Sequence, residues 1–299
     1  RVLDGVSAYL AAHPADIVLA QGDTTTVMAT GLACFYRRVP FGHVEAGLRT
    51  YDRWAPFPEE LNRRVAALVA DRHFAPTRRA AGNLLREGVA PEVVHVTGNT
   101  VIDALQYVLE HTRPPAEPAP PPAPYVLMTC HRRENFGAPL LEIFGAVRDF
   151  FARRPDLHAW YPVHPNPAVA GPARDLLGGL PNLRLTPPLD YVAFAHAMRG
   201  ALLLLTDSGG VQEEAPALGR PVLVLRDVTE RPEGVEAGTC RLVGPHRDRI
   251  LAALEELLDD PAAYARMARA RNPYGDGAAA GRIAAALRGA PAPDWAPAP

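Results

Sequence analysis

The sequence predicts an α/β protein with two parallel sheets that carry helices on both faces. Short apolar runs of strand length alternate with longer segments of helical pattern over most of the 299 residues, and this alternation is typical of βαβ units. A proline-rich stretch, RPPAEPAPPPAP, interrupts it at 113–124. Because proline removes backbone donors and favours a stiff extended chain, the stretch predicts a linker between two domains.

The first domain is predicted over 1–112, and its first element is a helix. Residues 1–13 have a helical pattern with no strand before them, so we expect the chain to begin inside an α/β domain. The elements that follow are a strand at 17–20, an alanine-rich helix to Phe35, strands at 40–44 and 72–75, a helix at 78–87, a strand at 93–97 and a helix at 100–110.

The second domain is predicted over 125–276 and repeats the alternation. Its strands are expected at 125–129, 158–162, 183–185, 201–205 and 222–225, and its helices at 140–151, 168–177, 191–198, around Gln212 and at 250–258. A last helix and a tail at 289–299 follow. Ligands of parallel sheets bind beyond the carboxyl ends of the strands, so we expect a ligand in the cleft between the two domains.

The composition excludes several classes of protein. The chain is 48% hydrophobic and 21% charged, as in a globular protein, and its net charge is −2 with arginine as the only strongly basic residue; no basic surface for nucleic acid is expected. No signal peptide or apolar span of 18 residues is present, so no membrane association is expected. Cys34, Cys130 and Cys240 lie far apart and predict free thiols in a reducing cytoplasm.

A phosphate site is indicated in the segment 201–219, ALLLLTDSGGVQEEAPALG. An apolar run stops at TDS, two glycines follow and a helix can then begin. Free backbone N–H groups and the helix dipole at such a junction suit an anion, and glycine lets it approach the backbone. The alternative is an ordinary βα turn, which also requires glycine.

Two further polar loops follow predicted strands. In CHRRENFG at 130–137, His131, Arg132 and Arg133 could hold a diphosphate, since arginine offers paired donors that match phosphate oxygens. The alternative is a solvated loop with a capping histidine. In VHPNP at 163–167, His164 has the same position after the next strand, and the alternative there is a turn shaped by prolines.

The first domain contributes acids at the ends of its predicted elements. Asp23 and Glu45 follow strands, and Glu59 follows Pro58, which fits the first turn of a helix. The alternative for Glu59 and Glu60 is a favourable contact with the helix dipole. Acid–base chemistry needs such groups in pairs. No metal-ligand spacing and no G-x-G-x-x-G is present, so neither a metal nor a nicotinamide cofactor is expected.

These motifs resemble the non-hydrolysing UDP-N-acetylglucosamine 2-epimerases of bacteria. The matching blocks occur in family order over nearly the whole chain: QGDTTT at 21–26, HVEAGLRT at 43–50, PFPEELNR at 56–63, TGNTVIDAL at 97–105, CHRRENFG at 130–137, VHPNP at 163–167, TDSGGVQEEAPALGRPVLVLRDVTERPEG at 206–234 and NPYGDG at 272–277. The resemblance implies a GT-B fold with two Rossmann-like domains flanking a deep cleft, a final helix at 277–288 packed on the first domain, and a homodimer that supplies cell-surface polysaccharide synthesis.

The resemblance also implies a reaction without a cofactor. UDP is eliminated to leave 2-acetamidoglucal and is then added back, which interconverts UDP-N-acetylglucosamine and UDP-N-acetylmannosamine. The implied acid–base residues are Asp23, Glu45 and Glu59, with His131 supporting catalysis or the diphosphate. The implied substrate ligands are Ser208, Gly209 and Gly210 for phosphate, Glu214 for the ribose and Arg231 for phosphate or sugar. A second UDP-N-acetylglucosamine could act as an activator near Arg132 and His164.

One family feature is missing from the sequence. The family begins with a strand and a G-T-R-P-E loop, and this chain has neither that loop nor any lysine, so we expect reduced or absent activity from these residues alone. Three alternatives stay open: a GT-B glycosyltransferase, a hydrolysing UDP-N-acetylglucosamine 2-epimerase, and an inactive nucleotide-sugar-binding fragment.

Overall fold

The computed structural model describes residues 1–291 and 293–296 and divides into two compact units. The first unit is Arg1–Asp103 with Tyr274–Pro299, and the second is Ala104–Pro273. Each contains a parallel sheet, of four and six strands respectively. The predicted α/β class with two parallel sheets is therefore confirmed, whereas the domain limits derived from the linker stay predictions.

The elements up to the unit boundary alternate as expected. They are α1 Val2–Ala12, β1 Val18–Gln21, α2 Thr25–Arg37, β2 Phe41–Val44, α3 Glu59–Val69, β3 Arg72–Ala75, α4 Arg78–Arg86, β4 Val94–Val96 and α5 Thr100–His111. The sheet order is β1-β2-β3-β4. The side chains of Thr24 and Thr77 accept hydrogen bonds from backbone N–H groups of the first turns of α2 and α4, which explains where these helices begin.

Gly47 shows why the loop after β2 requires glycine. Its φ is +90°, and a Cβ at this position would lie 2.7 Å from the carbonyl carbon of Ala80 in α4. Glycine lets the loop pass this close to α4. The packing places the acid-bearing loop against a rigid element of the first unit.

The remaining elements are the strands of the second sheet with their helices, and a last helix, which belongs to the first unit. They are β5 Tyr125–Thr129, α6 Ala138–Arg153, β6 His158–Pro162, α7 Pro167–Leu177, β7 Leu183–Thr186, α8 Tyr191–Gly200, β8 Leu204–Thr206, α9 Gly209–Ala217, β9 Val222–Val224, α10 Pro232–Glu236, β10 Cys240–Leu242, α11 Arg247–Asp259, α12 Pro261–Ala268 and α13 Ala279–Leu287. None of the helices in the described part of the chain is long and apolar enough to cross a membrane.

The strand order of the second sheet identifies where a ligand should bind. The order is β10-β9-β8-β5-β6-β7, so the chain extends the sheet to one side after β5 and to the other side from β8. Neighbouring loops after β5 and β8 therefore lead away in opposite directions. In open α/β sheets this switch point, at the carboxyl ends of the strands, is the usual ligand site.

Some element limits differ from the sequence-based expectation. The strand expected at 201–205 is β8 Leu204–Thr206, because the N–H of Ala201 still bonds to carbonyls of α8. The helix expected around Gln212 begins at Gly209. The short β10 and α12 had no clear signal, since β10 is only three residues long with Arg241 at its centre.

The C-terminal segment lies with the first unit. Ile283 of α13 packs with Val44 and Phe74, and the carboxylate of Asp103 accepts hydrogen bonds from the first N–H groups of α13. In the predicted tail 289–299, the N–H of Trp295 donates to the carbonyl of Val96 at 2.7 Å. Positions 292 and 297–299 of that tail lie outside the described residues.

Candidate functional site

A buried carboxylate joins the two loops at the switch point of the second sheet. Asp207 follows β8 and is 0% exposed. It accepts hydrogen bonds from the backbone N–H of His131 (2.9 and 3.1 Å) and of Arg132 (2.8 Å), and from the Asn135 side chain (3.0 Å). Because all of these hydrogen-bond donors belong to the loop after β5, that loop is held around one acidic side chain.

The histidines of the two predicted loops lie together. The rings of His131 and His164 stack with centroids 5.8 Å apart. Both line a cavity of about 210 Å³ whose wall is largely apolar and includes Ser208; its other lining residues are Thr129, Cys130, Pro162, Pro188, Leu189, Phe194 and Val211. Burial lowers the pKa of His131; the charge of Asp207 opposes this effect, whereas Arg132 and His164 add to it. The neutral imidazole is therefore favoured at pH 7.

The N-terminus of α9 lies directly beside this cavity. Ser208 is the N-cap residue, and its side chain makes no capping hydrogen bond. A Cβ on Gly209 would lie 2.8 Å from the guanidinium carbon of Arg231, whereas one on Gly210 would have only an ordinary contact, at 3.6 Å from Glu214. Gly209 is therefore required by the protein's own packing, because Arg231 occupies the space of a side chain.

Arg231 belongs to a buried network of ion pairs. Its guanidinium pairs with Glu213 and with Glu230, the latter at 2.6 Å. Glu230 also pairs with Arg226 at 2.9 Å, and Arg226 reaches Glu134 in the loop after β5. Although burial alone would raise it, Arg231 and Arg226 lower the pKa of Glu230 to about 2. The network holds two arginines rigidly beneath the start of α9.

Glu214 has a different environment on the same helix. It is 8% exposed, and its carboxylate accepts a hydrogen bond from the Tyr191 hydroxyl at 3.2 Å. Burial, with a contribution from the nearby Glu213, raises the pKa of Glu214 to about 7. This carboxylate can therefore change its charge near neutral pH.

In the first unit, Asp23 and Glu45 lie beyond the carboxyl ends of adjacent strands. Gln21 of β1 is in register with Val44 of β2, and a Cβ on Gly22 would lie 3.8 Å from Oε2 of Glu45. Glu45 has a φ of +65°, a sparsely populated conformation for a residue with a side chain. Such conformations cluster at functional sites, where the surrounding structure maintains them.

The start of α3 approaches the same end of the first sheet. Arg63 pairs with the side chain of Asp23, and Asn62 donates to its backbone carbonyl at 2.9 Å. Glu60 is fully buried and accepts hydrogen bonds from the N–H groups of residues 50 and 51. Glu59, one residue earlier, is partly exposed and has no partner among the described residues. Glu59 is therefore free to act on a ligand, while Glu60 supports the loop.

The predicted residues thus form two groups, one in each unit. Asp23, Glu45 and Glu59 gather at one end of the first sheet, and the predicted residues of the second unit surround the ends of β5 and β8. The sequence does not single out Asp207, Glu213 or Arg63 as parts of these sites, and it indicates Glu60 only as a helix-dipole partner. The sequence feature that could have identified Asp207 is its position directly after an apolar run and shortly before two glycines.

The buried cysteines carry no disulfide. Cys34, Cys130 and Cys240 are all free thiols, which confirms the prediction from their spacing. Burial raises the pKa of Cys130 well above its usual value, and the neighbouring Asp207 adds to the effect. A thiol with a raised pKa is a poor nucleophile, so Cys130 contributes packing and a hydrogen bond to the site.

Comparisons with known proteins agree on one family. Residues 1–288 match the family described as UDP-N-acetylglucosamine 2-epimerase. The UDP-N-acetylglucosamine 2-epimerase of Escherichia coli strain K12 is 49% identical over 298 residues, which is 96% of this chain and 79% of that protein. A probable UDP-N-acetylglucosamine 2-epimerase from Ralstonia nicotianae is 50% identical, over 96% of this chain and 80% of its own length.

Solved structures give the same result. The S. aureus MnaA–UDP structure is 46% identical with a TM-score of 0.91 and is matched over 96% of this chain and 79% of that chain. The UDP-GlcNAc 2-epimerase from Neisseria meningitidis bound to UDP-GlcNAc is 42% identical with a TM-score of 0.92, over 96% and 80%. The predicted GT-B fold and the resemblance drawn from the motif blocks are confirmed. The chain belongs to the UDP-N-acetylglucosamine 2-epimerase family.

Proposed function

We propose that the protein interconverts UDP-N-acetylglucosamine and UDP-N-acetylmannosamine by inverting C2 of the sugar. The observation that carries the proposal is the switch-point site of the second unit, where His131, His164 and Ser208, the N-cap residue of α9, line one cavity. Family membership supports the choice of substrate, since the N. meningitidis relative is bound to UDP-GlcNAc. The group of acids in the first unit supports an acid–base reaction.

The proposed reaction uses both groups of residues, the acids of the first unit and the switch-point site of the second unit. The proton on C2 is not next to a carbonyl, so its removal alone would leave an unstabilised carbanion. Removal of this proton together with cleavage of the C1–O bond gives 2-acetamidoglucal and UDP. Addition of UDP to C1, with a proton delivered to the other face of C2, gives the epimer. The route requires groups that take and give protons and a firm hold on the departing diphosphate.

We assign the UDP part of the substrate to the second unit. The backbone N–H groups of Gly209 and Gly210 and the Ser208 hydroxyl suit the diphosphate, and the guanidinium of Arg231, paired with Glu213 and Glu230, packs against Gly209. Glu214 suits the ribose hydroxyls, because an ionised carboxylate accepts hydrogen bonds from both. Its position one turn along α9 from Gly210 favours contact with the same nucleotide.

We assign the proton transfers to Asp23, Glu45 and Glu59, with His131 assisting departure of UDP. The side chain of Asp23 is held by the ion pair with Arg63, and Glu45 lies beside it at the end of the adjacent strand with a left-handed backbone. His131 is half-exposed at the cavity, where its neutral ring can exchange a proton or a hydrogen bond with the diphosphate.

Incubation of UDP-N-acetylglucosamine in D2O without an acceptor tests the proposal. We expect deuterium at C2 and a mixture of the two epimers. Unlabelled starting material would contradict epimerisation and favour a glycosyltransferase. Free N-acetylmannosamine with UDP would indicate a hydrolysing enzyme, and UDP binding without any turnover would indicate a nucleotide-sugar-binding protein.

The affinity for UDP is expected to depend on Glu214 ionisation. Since the pKa of Glu214 is raised to about 7, its carboxylate becomes charged, and a stronger acceptor for the ribose, as pH rises from 6 to 8. We expect this contribution to tighten UDP binding by about tenfold over that range. Calorimetric titration of the wild type and of Glu214→Gln measures it, and subtracting the two profiles removes the ionisation of UDP itself.

A second variant tests the cause of the shift. Tyr191→Phe removes the hydroxyl that stabilises the charged form of Glu214, so the midpoint of the difference profile should move to higher pH. Parallel profiles for the wild type and Glu214→Gln would show that Glu214 does not contact the nucleotide.

We further propose a cytoplasmic homodimer with UDP-N-acetylglucosamine as its activator. The free thiols support a reducing compartment. Large apolar side chains on α3 and the loop before it, at Trp54, Phe57, Leu61 and Leu68, are at least half exposed, and such surfaces are typical of interfaces.

His164 is exposed and stacked on His131, so a second nucleotide sugar at Arg132 and His164 would lie beside the catalytic ring. Analytical sedimentation measures the oligomeric state, and the dependence of the rate on substrate concentration tests the activation.

A further inference from the structure

We infer that Asp207 is a positioning residue that fixes the imidazole of His131 in the tautomer with its proton on Nδ1. The inference rests on the proposed function, in which His131 assists the departure of UDP. Asp207 is 0% exposed, so it can act on a ligand only through the groups that it contacts. Its place directly after β8, at the switch point, brings it against the loop after β5.

The two carboxylate oxygens of Asp207 have different neighbours. Oδ2 accepts hydrogen bonds from the backbone N–H groups of Arg132 at 2.8 Å and His131 at 2.9 Å, the Asn135 amide at 3.0 Å and the Cys130 thiol at 3.3 Å. Oδ1 faces His131, with the ring Nδ1 at 3.4 Å and the backbone N–H at 3.1 Å. One oxygen therefore anchors the loop, and the other faces the imidazole.

This geometry selects one tautomer of the ring. A neutral imidazole has one N–H and one lone pair, and burial favours the neutral form of His131 by lowering its pKa. Because Nδ1 faces a carboxylate oxygen, the proton lies on Nδ1 and the lone pair remains on Nε2. The ring of His164 stacks on the same imidazole at 5.8 Å. Nε2 is thus the nitrogen that takes up a proton to form the imidazolium, whose charge Asp207 stabilises. The imidazolium gives this proton to the departing UDP, and re-addition of UDP returns it.

Asp207→Asn tests the inference with little change of shape. The amide oxygen should take the place of Oδ2, where four donors meet, and the NH2 group then takes the place of Oδ1. It would donate to Nδ1 of His131, so that the ring proton lies on Nε2 and no negative charge stabilises the imidazolium. The neutral ring is too weak an acid to protonate the departing UDP. We expect kcat to fall by about 10²-fold or more, the Kd for UDP to change by less than about threefold, and the 15N spectrum to show His131 protonated on Nε2.

Two variants separate this role from a structural one. Asn135→Ala removes a donor from the same carboxylate without contacting the ring; we expect lower stability, the Nδ1–H tautomer and turnover within a few-fold of wild type. His131→Gln identifies the signal in the spectrum and tests the proposed role of the ring.

The outcomes separate the proposed catalytic role of His131 from the positioning role of Asp207. Full turnover by His131→Gln would contradict the proposed catalytic role of His131. Loss of turnover by His131→Gln, with full turnover by Asp207→Asn, would overturn the positioning role alone. An Nε2–H tautomer of His131 in the wild-type protein would also overturn it, even if Asp207→Asn failed to fold.

Discussion

Glu59→Gln is expected to lower turnover of UDP-N-acetylglucosamine by about 10²- to 10⁴-fold while leaving the fold intact. Glu59 is the first residue of α3, is partly exposed and has no partner within the described part of the chain. The amide keeps the shape of the side chain but cannot exchange a proton at neutral pH, so the loss isolates acid–base function. Deuterium incorporation at C2 measures turnover, and thermal unfolding in parallel measures stability.

Two matched variants distinguish catalysis from a helix-dipole contact. Asp248, which is exposed in the first turn of α11, has the same relation to a helix dipole; Asp248→Asn should reduce stability by about 0.3–1 kcal/mol without changing turnover. Glu60→Gln replaces a buried acceptor of two backbone N–H groups and should cost about 1–3 kcal/mol of unfolding free energy. If Glu59→Gln behaved like Asp248→Asn, the acid–base role of Glu59 would be excluded.

The strands of the second sheet were predictable because they are buried on both faces. Such strands are continuous apolar runs, and the predicted strands at 125–129 and 158–162 coincide with β5 and β6. The same reasoning fails for β10, where three residues include an arginine. The reasoning from apolar runs also predicts the start of β8 too early in the chain, since a buried helix end and a buried strand have the same apolar character.

The individual site residues were easier to predict than their arrangement. Glycines, histidine and arginine after apolar runs indicate strand ends, but local pattern does not contain the strand order that makes β5 and β8 neighbours. The contact between Asp207 and His131 depends on that order. Similarly, Glu59 and Glu60 are equivalent in the sequence, and only the fold of the loop at residues 50–51 decides which of them is buried.

Gly209→Ala is expected to weaken UDP binding by about tenfold or more and to lower the free energy of unfolding by about 1–3 kcal/mol. The new Cβ would lie 2.8 Å from the guanidinium carbon of Arg231 and 3.0 Å from a carboxylate oxygen of Glu230. Both neighbours are buried and paired with each other, so neither can move without breaking an ion pair. The start of α9 must shift instead, together with the N–H groups proposed to hold the diphosphate.

Gly210→Ala provides the matched control, because its Cβ meets only a carboxylate oxygen of Glu214 at 3.6 Å. Alanine is favoured over glycine in a helix by about 1 kcal/mol, so stability should be unchanged or raised, and any loss of UDP affinity reports contact with the ligand itself. Titration with uridine, which lacks the diphosphate, should show little difference between Gly209→Ala and wild type. Wild-type stability and UDP affinity in Gly209→Ala would contradict the conclusion that the Arg231 network fixes the phosphate site, because Arg231 would then have moved without consequence.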